Sequence, residues 1–103
     1  MTKSVMELGQ YVGDGWQQLL QELHAELSAV EPDYEVMQIK EKFGTLRVYL
    51  KDHIYTDATR AIVRKYEQLS GTICQDCGAS GHLRDGGWML TLCNACAALR
   101  GRN

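Results

Sequence analysis

Cys74-Gln75-Asp76-Cys77 and, 15 residues on, Cys93-Asn94-Ala95-Cys96 contain every cysteine of this 103-residue chain. A Cys-x-x-Cys step places two thiolates on one tight turn, and two such turns complete a tetrahedron of sulfurs around a single ion. Zn2+ is the ion that four thiolates favour. Two disulfides are the alternative use of four cysteines. The first ten residues show no basic segment followed by an apolar one, as a secretion signal would, and structural disulfides are rare in a reducing compartment. The expectation is one Zn2+ held by Cys74, Cys77, Cys93 and Cys96 in a cytoplasmic protein.

Working outward from the cysteines, Gly78 directly after Cys77 lets the backbone turn so that its N–H groups face the first thiolate pair. Residues 81–84 and 88–92, joined through Asp85-Gly86-Gly87, read as a short hairpin. Cys93 and Cys96 then open a helix over 94–100, whose positive end faces the second pair. Knuckle, hairpin and helix in this order predict a treble-clef-like zinc module with four cysteine ligands over residues 72–103.

The preceding 71 residues divide by hydrophobic period. Ser4 and Glu7 have capping-box spacing for a short helical turn that Gly9 can end. Asp14 can cap a helix over 15–30 with an apolar stripe at Trp16, Leu19, Leu20, Leu23, Leu27 and Val30, stopped by Pro32. The period then falls to two. Tyr34 with Val36 and Met37 with Ile39 alternate in one run, and Leu46, Val48 and Leu50 in the next, which predicts an antiparallel hairpin across Lys40-Glu41-Lys42-Phe43-Gly44. A second helix follows from Thr56 or Asp57 to Ser70-Gly71. The expected fold is α+β: a helix–hairpin–helix body over residues 1–71, with the metal module packed on it as one compact unit. Trp16 and Trp88 both fall in apolar runs and are expected in the core.

Composition bounds the function. Eleven Lys and Arg against 13 Asp and Glu give a net charge of −2, and four thiolates on one Zn2+ would lower it by about two more units. Such a chain lacks the long-range attraction for phosphate backbones that marks general nucleic-acid binders. No apolar run approaches a membrane span. His24, His53 and His82 form no nucleophile–base pairing with the cysteines committed to metal, and a zinc with four protein ligands has no open position for water. Enzymatic activity is not expected.

Two resemblances attach to these motifs. Cys74-Gln75-Asp76-Cys77-Gly78-Ala79 with Leu92-Cys93-Asn94-Ala95-Cys96-Ala97 resembles a GATA-type zinc finger, which implies the treble-clef metal fold; the chain differs from it in shorter pair spacing and in lacking the basic segments that read DNA. Over nearly the whole chain, Gly13-Asp14-Gly15-Trp16, Lys40-Glu41-Lys42-Phe43-Gly44-Thr45-Leu46-Arg47, the Cys-x-x-Cys-Gly-Ala motif and Trp88-x-x-Thr91-Leu92-Cys93 are similar to a family of small bacterial, prophage and phage proteins. Those proteins often place His where this chain has Cys96. That likeness implies a bacterial or phage-infected setting and no particular reaction.

The leading functional expectation is therefore a small zinc-stabilised protein–protein interaction module, a phage-encoded factor that binds and alters a bacterial host protein. Its contact surface is expected at Lys40, Lys42, Phe43 and Arg47, gathered at the hairpin tip, unless Phe43 plugs the core and the lysines only blunt the sheet edge. The alternative is a nucleic-acid-binding regulator using Arg84, Arg100 and Arg102.

Overall fold

Leu19, Leu20, Leu23 and Leu27 recur at helical spacing and are all buried, and this stripe organises the larger of two apolar clusters. In the computed structural model, which describes residues 4–84 and 88–101, the elements run α1 (Val5–Leu8), α2 (Gln17–Val30), β1 (Val36–Lys42), β2 (Thr45–Leu50), α3 (Asp57–Ser70), β3 (His82–Arg84), β4 (Leu90–Leu92) and α4 (Asn94–Leu99), with 3-10 turns at Gly9–Tyr11, Asp14–Trp16 and Asp52–Ile54. The fold is mixed helix and strand, as the periodicities imply. Ser4 and Glu7 form the reciprocal capping box of α1, and Thr56 caps α3 with Thr59 as its partner.

The body packs α2 and α3 on one face of the β1–β2 hairpin, burying Val36, Ile39, Leu46, Val48 and Leu50 against Leu20, Leu23, Leu27, Val63 and Tyr66. Among the described residues β2 has no second strand on its outer edge. Side chains supply the acceptors instead: the N–H groups of Leu46, Val48 and Leu50 donate to Ser70 Oγ at 2.8 Å, Glu67 Oε2 at 2.9 Å and the Tyr55 hydroxyl at 2.9 Å. An edge satisfied in this way cannot template pairing with another chain along those amides. Each bond spares a buried or half-buried N–H the roughly 1–3 kcal/mol penalty of going unpaired.

Four details depart from the sequence reading. Asp14 does not cap α2: it begins a 3-10 turn, and α2 starts at Gln17 with no side-chain cap. The turn is held by a different job, since Gly13 and Gly15 lie against the backbone of Gln75 and Cys74. A Cβ on Gly15 would sit 2.0 Å from the Cys74 carbonyl oxygen. Second, Met37 does not alternate inward with Ile39. A bulge between Val36 and Gln38 leaves Met37 outside and brings Val36 and Ile39 to the same face. Third, the connection is only Phe43-Gly44, both with positive φ (55° and 84°), because β1 extends to Lys42. Fourth, Trp88 is not a core residue: β4 begins only at Leu90, and Trp88 is 71% exposed. The expected turn Asp85-Gly86-Gly87 lies outside the described residues.

The cysteine-bearing segment carries its own small cluster of Cys74, Leu90, Leu92 and Ala97. It joins the body along a seam of specific bonds. Trp16, fully buried, donates Nε1–H to the Ile73 carbonyl at 3.0 Å, and Gly15 N–H donates to the Gln75 carbonyl at 2.9 Å. At the other end Thr91 Oγ1 donates to the Gly44 carbonyl at 2.6 Å. No helix of the described residues is long and apolar enough to cross a membrane.

Candidate metal centre

The two Cys-x-x-Cys steps fold as two different local structures that converge. Around the first, Cys74 N–H donates to the Ala79 carbonyl and Gly78 N–H to the Cys74 carbonyl, at 2.7 and 2.9 Å, and Gly78 takes a left-handed φ of 87°. This knuckle is closed by a bridge between Ile73 and Ser80. Around the second, Cys93 is the N-cap of α4, its sulfur accepting from Cys96 N–H at 3.4 Å. Gln75 locks the two halves together, with N–H to the Thr91 carbonyl and side-chain Oε1 accepting from Thr91 N–H, both at 2.9 Å.

The result brings Cys74, Cys77, Cys93 and Cys96 together with all four sulfurs within 4.8 Å of one another, an arrangement that could hold a metal ion. Cys77 Sγ and Cys93 Sγ are 3.6 Å apart. Sulfurs at the corners of a tetrahedron with metal–sulfur bonds of about 2.3 Å stand about 3.8 Å apart, so the spacing suits a four-coordinate site. The sulfurs also compete for charge. Burial opposes ionisation of Cys74, but the backbone N–H groups of Cys93, Cys77 and Asp76 outweigh it and bring its pKa down to about 6. Cys96 is pushed well up, first by the neighbouring Cys93 sulfur and then by burial. Cys77 is also raised: the Ala79 N–H pulls downward, but the Cys93 and Cys74 sulfurs prevail. Four thiolates in this space therefore call for a cation.

Other cations of the segment are committed to its structure. Arg100 makes a two-pronged contact with Asp76, Nε to Oδ2 at 2.6 Å and Nη2 to Oδ1 at 2.8 Å, which staples the end of α4 to the knuckle and holds the Asp76 carboxyl below its usual range. Arg84 donates to the Leu92 carbonyl at 3.1 Å and to Asn94 Oδ1 at 2.8 Å. Arg102 lies outside the described residues.

The four tip residues do not form one cluster. Phe43 is 63% exposed at the turn, with Lys42 Nζ 5.8 Å from its ring centroid, so it does not plug the core. Lys40 pairs directly with Arg47 across the sheet, away from the turn. Lys42 and Phe43 instead join Glu41, Trp88 and Met89 around a concavity of about 310 Å³ at the seam between hairpin tip and metal segment. Sequence reading missed Trp88 and Met89 here because residues 88–92 pattern as a continuous strand. Comparison with protein-family models, with curated proteins and with solved structures finds no match.

Proposed function

We propose that this chain is a zinc-stabilised protein–protein interaction module, with Zn2+ on Cys74, Cys77, Cys93 and Cys96 in a treble-clef arrangement and a partner docking at the Phe43–Trp88 concavity. The all-sulfur donor set supports zinc over harder cations, and knuckle, β3–β4 pair and α4 follow one another in treble-clef order. Four protein ligands close the coordination sphere, which supports a structural ion and a non-enzymatic role.

The observation that carries the docking face is Phe43 itself. A non-glycine residue in the left-handed region costs roughly 1–2 kcal/mol, and here the side chain stays 63% exposed. Backbone strain beside an exposed aromatic is the pattern of a residue kept for contact rather than for folding. Lys42 and Glu41 line the same concavity as Phe43, Trp88 and Met89, a mix of apolar and charged residues of the kind protein interfaces use. We further place the partner among bacterial host proteins, on the motif likeness to phage and prophage chains. The nucleic-acid reading has less support, since Arg84 and Arg100 are engaged in intramolecular bonds.

Metal analysis of the purified chain should give one zinc per molecule; zero or two overturns the site. For the docking face, the pair Lys42→Glu and Phe43→Ala should stay folded and lose partner capture. Retained capture by the folded double variant overturns this face, and a gel shift with sub-micromolar duplex DNA binding near physiological salt overturns the protein reading.

A further inference from the structure

A second concave face lies between β2 and α3. Arg47 of β2 and Arg60 and Arg64 of α3, with Tyr49 and Tyr55, line a cleft of about 380 Å³, and Arg47 and Arg64 also line an adjoining one of about 370 Å³ with Thr45 and Gln68. Lys40 stands opposite Arg47 in the sheet register. Like charges directly across a sheet, or four apart on a helix as Arg60 and Arg64 are, repel. Among the described residues Glu67 is the one carboxylate lining either cleft, and its Oε2 is taken by the Val48 N–H. Among the described residues none of the three arginines has an ion-pair partner, and Arg47 Nε is buried with no hydrogen-bond acceptor. Lys40 and Arg60 rest instead over the rings of Tyr49 and Tyr55, at 5.6 and 5.4 Å.

From this convergence of three arginines on a single carboxylate in an otherwise acidic chain, we infer that the cleft between β2 and α3 binds a phosphate group, either free or carried on a small molecule. A guanidinium grips a tetrahedral oxyanion with two parallel N–H bonds, and such a ligand held by the exposed Arg60 and Arg64 beside Arg47 relieves the repulsion among the three. The Tyr49 and Tyr55 rings form walls that a phosphate ester's organic part can rest on. The cleft shares no residue with the Phe43 concavity, so it stands whether or not that face docks a protein.

The test is a heteronuclear NMR titration of the full, metal-loaded chain with inorganic phosphate and, separately, phenyl phosphate, against sodium chloride at matched ionic strength. Saturable shifts of the Arg47 Nε–H signal and of the Val48 and Arg64 amides are expected. Arg64→Gln and Arg60→Gln should each weaken binding several-fold, and the double variant at least tenfold. Lys51→Gln, which removes a cation that lines neither cleft and pairs with Glu35, should leave affinity unchanged. Binding of both probes assigns a phosphorylated molecule, and binding of inorganic phosphate alone assigns the free ion. Shifts that never saturate, that chloride reproduces, or that survive in the folded Arg60/Arg64 double variant overturn the inference.

Discussion

Two residues show how local geometry is used here. At Phe43 the turn needs a residue tolerant of positive φ, a role in which Asn before Gly excels. Phe43→Asn removes strain of about 1 kcal/mol and forfeits an exposed cation–π contact with Lys42 worth about 0.5 kcal/mol. The strain term wins, so the variant should be more stable by about 0.5 kcal/mol in chemical denaturation, while partner binding falls. A loss of stability instead would mean that the ring packs more than its exposure shows. Gly15 is the opposite case: its Cβ would meet the Cys74 carbonyl at 2.0 Å and the Gly78 nitrogen at 2.6 Å, both backbone. Backbone cannot swing aside as a side chain can. Gly15→Ala should cost at least about 1–3 kcal/mol through overpacking and should weaken metal retention, read as faster zinc loss to a chelator. The Gly-Asp-Gly-Trp segment reads from sequence as a helix start. What it does instead, receiving the knuckle, is a contact between positions about 60 apart that no local pattern encodes.

At the scale of elements, α2 and α3 are pinned by Glu26, whose carboxylate accepts from Lys65 Nζ at 2.6 Å and from the Tyr66 hydroxyl. The Lys65 hydrogen bond, then that of Tyr66, hold the Glu26 carboxyl below its ordinary 4.5. A depressed carboxyl stabilises the fold above its unfolded-state pKa, and that contribution fades as pH falls through the lower folded value. Tyr66 behaves in reverse. Burial, then the Glu26 carboxylate, push it up to about 12 from 10.0, so its contribution is complete below pH 10 and is lost as pH rises towards 12. Glu26→Gln should flatten the acid limb of a melting-temperature profile below pH 4.5 and also the alkaline limb above pH 10, because Tyr66 then keeps less of its upward shift; an unchanged profile would show the pair to be energetically idle. The two helices and the hairpin were legible in the sequence because each has a periodic apolar pattern, although α3 buries Thr59, Val63, Tyr66 and Ser70 and leaves Ala58, Ala61 and Leu69, read as its apolar stripe, exposed. The bulge at Met37 was not, since an added residue leaves the apolar composition intact while changing which residues point inward. The placement of Trp88 in the core has the same origin: apolar character marks residues 88–92 as a unit, whereas among the described residues the strand pairs at Leu90–Leu92.

As a whole, the molecule is two apolar clusters of unequal size on a body 42 × 20 × 19 Å. Among the described residues the larger has 16 buried members, drawn mainly from the helices and first hairpin; the smaller has four, and one of them is Cys74. Four residues cannot hold a segment of this length against its chain entropy, whereas zinc in comparable small sites contributes roughly 10–16 kcal/mol. Chelation, or Cys93→Ser, should therefore unfold the segment from residue 72 onward while α2 and α3 keep most of the helical circular dichroism. Complete loss of ellipticity would show the seam to be essential to the body. The four cysteines and their pairing of turns were the most legible part of the candidate site, because ligand spacing is a local property. The apolar concavity and the arginine cleft were not, because each assembles side chains from two elements whose approach is set by packing. The burial of Trp16 at the seam and the exposure of Trp88 on the concavity have an optical corollary. The two indoles of this chain sit in opposite media, so intrinsic fluorescence divides into a blue, quencher-shielded emission that follows docking of the cysteine-bearing segment and a red, iodide-accessible emission that would follow occupancy of the proposed docking face. One unlabelled sample can thus report assembly and recognition as separate signals.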